Sequence, residues 1–82
     1  MKFQLNWILP KQAFPPGTQV EIASGAIKGE RATVEVNPET GTHSQVWEGD
    51  TEVWIRYDKD GQTVNRAILT PHWEDIKNLR VI

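Results

Sequence analysis

The sequence predicts an all-β fold, a small antiparallel barrel of about five or six strands. Eighty-two residues allow one domain with one small hydrophobic core. Short stretches that alternate apolar and polar residues recur along the chain, and turns rich in Pro, Gly and Asn separate them. No stretch longer than about two turns follows the helical period.

The chain begins with a predicted strand over residues 1–9, because apolar side chains occupy alternate positions there. These are Phe3, Leu5, Trp7 and Leu9. Residues 10–17 hold three prolines and a glycine, which favours a connector over a paired strand. We therefore expect the barrel itself over residues 18–82. An edge strand on a Pro-rich tether is well placed to pair with a second copy of the chain. The sequence therefore also indicates a homodimer formed through the N-terminal strand as an alternative.

Two strands are predicted in the first half of the barrel, over residues 18–24 and 30–36. Their expected inward residues are Val20, Ile22, Ala32, Val34 and Val36. Residues 37–41 form a predicted turn, opened by Asn-Pro and ended by a glycine. The polar stretch 43–50 gives no clear secondary-structure prediction.

In the second half, residues 51–57 alternate clearly and predict a strand. Val53, Ile55 and Tyr57 are expected to face the core, with Trp54 and Arg56 on the opposite face. A hairpin turn over residues 58–61 is predicted to lead into a partner strand, residues 62–70, whose interrupted pattern indicates a bulge or a strong bend.

The C-terminal stretch is predicted to hold one short 3₁₀ or α turn over residues 71–77, followed by a last strand over residues 79–82. The expected barrel core is nearly filled by apolar residues other than tryptophan. These are Leu5, Val20, Ile22, Val34, Val36, Val53, Ile55, Leu69, Ile76, Leu79 and Val81. At least one of Trp7, Trp47 and Trp54 is therefore expected to be partly exposed or to cover a barrel end. Either the N-terminal strand folds back over Trp54, or an aromatic surface faces a partner.

One local motif lies between residues 20 and 34. An alternating strand is followed by Gly25-Ala-Ile-Lys28-Gly29 and then by Ala32-Thr-Val34. This stretch resembles the KOW motif of SH3-like small barrels, which occur in ribosomal proteins and NusG-type transcription elongation factors. The resemblance implies an SH3-like barrel in which the glycines allow positive φ and Lys28 lies at the loop tip.

Enzymatic activity is not expected. The chain has no cysteine, which excludes thiolate nucleophiles and Cys-based metal sites. No phosphate-binding loop, zinc-protease motif, dinucleotide fingerprint or nucleophile elbow occurs. His43 and His72 are interpreted as surface or capping residues, and the spacing around Asp58 and Asp60 does not match a calcium loop. We therefore predict no catalytic residue, no cofactor and no metal.

The predicted function is that of a small adaptor or accessory protein that binds a protein partner. The expected contact surface comprises the loop 25–31 and a Trp/Arg face, with Trp47, Trp54, Arg56, Lys28 and Arg31 as its residues. The alternative, implied by the KOW resemblance, is a module that binds nucleic acid, polymerase or ribosome in transcription or translation. Its contact residues would be Lys28, Arg31, Arg56 and Arg66. The net charge of −2 favours the protein partner over nucleic acid.

The expected location is the cytoplasm, and no membrane partner is predicted. The apolar run near the N-terminus is interrupted by Gln4 and Asn6, and no small-residue cleavage site follows it. No apolar stretch approaches the ~20 residues that a membrane helix needs.

Overall fold

The structure, a computed structural model, describes residues 14–41 and 52–82. In these ranges the chain forms short strands and one 3₁₀ turn, so the all-β prediction is confirmed. The strands are β1 (Gln19–Ile22), β2 (Arg31–Glu35), β3 (Glu52–Tyr57), β4 (Thr63–Val64), β5 (Ala67–Ile68), β6 (His72–Asp75) and β7 (Leu79–Val81). The 3₁₀ turn is Ile76–Asn78. The predicted N-terminal strand, the first part of the connector and the stretch 43–50 lie outside the described residues.

Five of the strands form one antiparallel sheet in the order β6-β3-β2-β1-β7. The sheet is curled into a half-barrel. β4 and β5 pair separately as a small hairpin. Within the described ranges, β6 and β7 therefore form the two edges of the main sheet.

The core lies on the inner face of the curled sheet, where the alternation of β1, β2 and β3 places every second side chain. Its buried residues are Val20, Ile22, Ala32, Val34, Val53, Ile55, Tyr57, Leu69 and Leu79. Phe14, Ile27, Val64 and Ile76 are half-buried and pack against this cluster.

Two residues predicted for the core are exposed. Val36 is 41% exposed because it follows the last paired residue of β2, where no opposite strand covers it. Val81 is 52% exposed because it belongs to the edge strand β7. Leu5 lies outside the described residues.

The prediction that residues 62–70 pair with β3 is wrong. β3 pairs with β2 and β6, and residues 62–70 fold back on themselves as the β4–β5 hairpin. The amide of Gly61 donates to the Leu69 carbonyl at 2.7 Å. The interruption of the alternating pattern within residues 62–70 corresponds to a turn. Asn65 and Arg66 both have positive φ, 51° and 71°, as a tight hairpin turn requires.

The 3₁₀ turn before the last strand is confirmed, but it is shorter than predicted and begins at Ile76. His72 to Asp75 form a strand instead, paired with β3. The Asp75 carboxylate ends this strand by accepting a 2.8 Å hydrogen bond from the Lys77 amide, which caps the 3₁₀ turn. The stretch carries polar side chains on both faces, so its strand alternation is weak in the sequence.

No helix in residues 14–41 and 52–82 is long and apolar enough to cross a membrane.

Candidate functional site

The outer face of the sheet carries an aromatic pair near the β6 edge. The alternation of β3 places Trp54 on this face, and its partner across the ladder is Trp73 of β6. The two ring centroids are 5.4 Å apart with an interplanar angle of 74°, which is an edge-to-face contact. Both residues are half-buried.

The indole N–H of Trp54 is buried and has no hydrogen-bond acceptor among the described residues. Leaving a buried donor without an acceptor costs about 1–3 kcal/mol. Because native structures pair nearly all such groups, this donor marks the aromatic pair as a place where a further chain segment or a partner is expected.

Arg56 shares the outer face with Trp54, as the alternation predicts, but two carboxylates hold its guanidinium. Its Nε donates to Glu35 at 3.0 Å and its Nη1 donates to Asp60 at 3.2 Å. The hydrogen bond to Glu35 and the charge of that residue raise the pKa of Arg56, with a smaller contribution from Asp60. The positive charge of Arg56 is therefore largely neutralised within the chain.

The loop 25–31 follows directly from β1. Gly25 and Gly29 have φ values of 95° and 94°, which L side chains rarely adopt, and the Gly29 amide donates to the Ile22 carbonyl at 2.9 Å. The loop conformation expected from the two glycines is therefore present. Lys28 is exposed on this loop, and Arg31 is exposed at the start of β2, opposite Glu21.

The structure brings Arg66 to the same end of the sheet as Lys28. The side-chain amide of Asn65 donates to the Ala26 carbonyl at 2.9 Å and so fastens the β4–β5 turn to the loop 25–31. Within the described part of the chain, Lys28, Arg31 and Arg66 form no ion pair. Sequence spacing alone does not show this contact, because its two partners are 39 positions apart in the chain.

The predicted contact residues therefore fall into two groups. Trp54 lies beside Glu35 and Trp73, toward the end of β2 that is farther from the loop. Lys28, Arg31 and Arg66 lie at the loop end, and Arg56 lies between the two groups on β3. Trp47 lies outside the described residues and stays a prediction.

Trp73 was missed as a candidate contact residue because the stretch around it is predicted as a turn. The period of two from His72 to Asp75 is the signal that identifies it. Its neighbour His72 contacts two acceptors: its Nδ1 lies 2.8 Å from the Thr70 carbonyl and its Nε2 lies 2.8 Å from the Glu74 carboxylate.

The hydroxyl of Tyr57 lies on the inner side of the same strand pair. It is buried and has no hydrogen-bond partner among the described residues. Burial raises the pKa of Tyr57 to about 12, and the negative charge of Glu74 adds to the effect. The Tyr57 and His72 ring centroids are 5.5 Å apart.

The described residues hold no group of three His, Cys, Asp or Glu side chains placed to bind a metal ion. A shallow depression of about 230 Å³ lies beside the loop, lined by Gly29, Glu30, Arg31, Asp58 and Lys59. Its volume is below the roughly 300–1,000 Å³ of small-molecule sites. Lys59 pairs with Glu30 at 3.6 Å.

Comparison with known proteins gives no match, either to a protein-family model, to a curated protein or to a solved structure.

Proposed function

We propose that this protein is a non-catalytic adaptor or accessory module of the cytoplasm that binds a protein partner through the outer face of its sheet. The observation that carries the proposal is the half-buried pair of Trp54 and Trp73, with its indole N–H that lacks an acceptor in the described ranges. Tryptophan is enriched where protein interfaces derive most of their binding energy.

The surroundings of this pair support the same function. Arg56 and Glu35 form an ion pair beside it, so an aromatic centre is bordered by charged groups that are already neutralised. A protein interface typically has this arrangement of an apolar centre and a polar rim. Lys28, Arg31 and the loop 25–31 extend the proposed contact surface, and Trp47 is included from the sequence.

The fold that we propose for this module is an SH3-like barrel with a KOW-type loop. The curled antiparallel sheet and the positive φ values of Gly25 and Gly29 support it. Small barrels of this kind host unrelated functions, so the fold does not select the partner.

The second candidate is a module that binds nucleic acid, polymerase or ribosome. The contact from Asn65 to Ala26 favours it, because it places Lys28 and Arg66 at one end of the sheet without ion pairs in the described part. The ion pairs of Arg56 with Glu35 and Asp60 argue against it, since phosphate would have to compete with two carboxylates. The protein partner therefore ranks first.

A pull-down distinguishes the two candidates. The full-length chain, tagged, is incubated with cytoplasmic extract of its source organism, with and without nuclease and at low and high salt. We expect a protein partner that survives nuclease and high salt. We also expect Trp54→Ala to lose it, whereas Arg66→Ala, which changes a residue outside the proposed contact surface, retains it.

Circular dichroism confirms that each variant is folded before its result is used. Binding that disappears with nuclease, or above roughly 200 mM salt, would replace the first candidate with the second. Retention of the partner by folded Trp54→Ala would show that the aromatic pair is not the contact surface.

A further inference from the structure

The ladder between β2, β3 and β6 shows which backbone groups point away from the sheet. The Asp58 amide donates to the Arg31 carbonyl directly opposite, at 2.9 Å. Hydrogen-bonded and non-bonded pairs alternate along an antiparallel ladder. The backbone groups of Val53 and Ile55 therefore point toward β6, where they meet Glu74 and His72.

The same alternation leaves the other backbone groups of β6 pointing outward. Trp73 presents an N–H and a C=O at this edge and Asp75 presents its N–H, and no described strand lies beyond them. The Asp75 carbonyl, at the N-cap, accepts the first hydrogen bond of the 3₁₀ turn. The preceding outward position belongs to Pro71, which has a carbonyl but no N–H. An open edge with free donors and acceptors is a template for another strand.

We propose that a second copy of this chain occupies this edge, with the two β6 strands antiparallel around a twofold axis at Trp73. Trp73 then faces Trp73 of the second copy, and His72 faces Glu74 of the second copy. The two tryptophan pairs form one continuous aromatic stripe on the outer face of a sheet that spans both copies. This inference goes beyond the proposed function and does not rest on it.

Side-chain complementarity favours this register over the neighbouring ones. An axis at Glu74 would place two carboxylates opposite each other, and like charges directly opposite one another destabilise a strand pair. An axis at His72 would place two imidazoles opposite each other. The axis at Trp73 instead places each His72, which already contacts Glu74 of its own chain at 2.8 Å, opposite the Glu74 carboxylate of the other copy.

Backbone hydrogen bonding agrees with the same register. Each Trp73 exchanges two hydrogen bonds with its counterpart, and each Asp75 amide donates to the Pro71 carbonyl of the other copy. An axis at His72 would place Pro71, which has no N–H, opposite Trp73, so the Trp73 carbonyl would receive no hydrogen bond from it. Because the contact is the same patch on both copies, it closes as a dimer and does not extend into a fibre.

The first test needs only the purified, full-length protein. Sedimentation velocity over a range of concentrations should show a species of twice the chain mass that grows with concentration. We expect Trp73→Ala to weaken dimerisation at least about tenfold. Thr33→Ala is the matched control on the same face, two strands away from the edge, and should leave dimerisation unchanged.

Disulfide trapping tests the register, because the chain contains no cysteine and each variant carries a single thiol. His72→Cys mixed with Glu74→Cys in a glutathione redox buffer should give the mixed disulfide dimer, while either variant alone gives little. Ile82→Cys, exposed next to the opposite edge, is the control and should give no disulfide-linked dimer.

A chain that sediments as a monomer at its highest soluble concentration would overturn the proposal. The β6 edge would then be covered by something other than a second copy. A dimer trapped by Glu74→Cys alone, by His72→Cys alone or by Ile82→Cys would overturn the register or the edge. Folding of each variant is checked by circular dichroism, and the wild-type sedimentation result stands without any variant.

Discussion

Replacing Tyr57 by phenylalanine is expected to stabilise this protein. The side chain is 2% exposed, and its hydroxyl is buried with no partner among the described residues. Removing a buried hydroxyl that lacks a partner relieves a desolvation cost of about 1–3 kcal/mol. Since the ring is retained and no cavity forms, we expect a gain of about 1 kcal/mol. For a domain of this size that gain raises Tm by roughly 4–8 °C.

The same substitution should remove a pH dependence. Burial raises the pKa of Tyr57 from 10.0 to about 12. Between these values the unfolded chain loses the phenolic proton and the folded chain keeps it, so the stability of the wild type falls as pH rises above 10. A shift of about two units corresponds to roughly 3 kcal/mol at most. Tyr57→Phe should lack this part of the alkaline loss.

The assay is thermal and urea unfolding of both proteins at neutral and alkaline pH. Tyr57 is the only tyrosine in the chain, so the ultraviolet absorbance of tyrosinate follows this group directly. Glu74→Gln should move that titration to lower pH, because the charge of Glu74 contributes to the raised pKa. A lower Tm for Tyr57→Phe, or a titration near the ordinary value, would refute the reasoning. It would mean that the hydroxyl has a partner or reaches solvent.

Three further predictions concern the turns and one surface pair. L-alanine at Gly29 should cost about 1–3 kcal/mol because φ there is 94°, and since no atom lies within 4 Å of the added carbon, backbone strain is the only cost. D-alanine, which prefers positive φ, should cost less, and unfolding of the two synthetic chains tests this. Asn65→Ala should lower the free energy of unfolding by about 1–2 kcal/mol. Asn65→Gly should lower it by less, because glycine keeps the positive φ and loses only the hydrogen bond to Ala26. Equal losses in the two variants would contradict the argument from φ. The hydrogen bond from Arg80 lowers the pKa of Glu21, so its contribution to stability is present above the unfolded pKa and is lost as pH falls through the folded value. Arg80→Met should therefore flatten the acid side of the Tm profile, and an unchanged slope below about pH 5 would contradict this.

Local alternation in the sequence was sufficient for β1, β2 and β3 and for most of the core. Val20, Ile22 and Val34 have a period of two, and the side chains of a strand alternate between faces, so their burial follows from local geometry alone. The positive φ of Gly29 and the 3₁₀ turn before the last strand are likewise local properties. Burial fails to follow alternation at Val36, because exposure there depends on where the neighbouring strand ends.

The pairing of the strands was decided only by the tertiary structure. The turn after β3 suggested a hairpin with residues 62–70, but β3 pairs with β6. The contacts of the candidate site are of the same kind, since Trp54 meets Trp73 and Asn65 meets Ala26 across long stretches of chain. Periodicity records the face on which a side chain lies, whereas the neighbour across a ladder depends on how the whole sheet buries its apolar face.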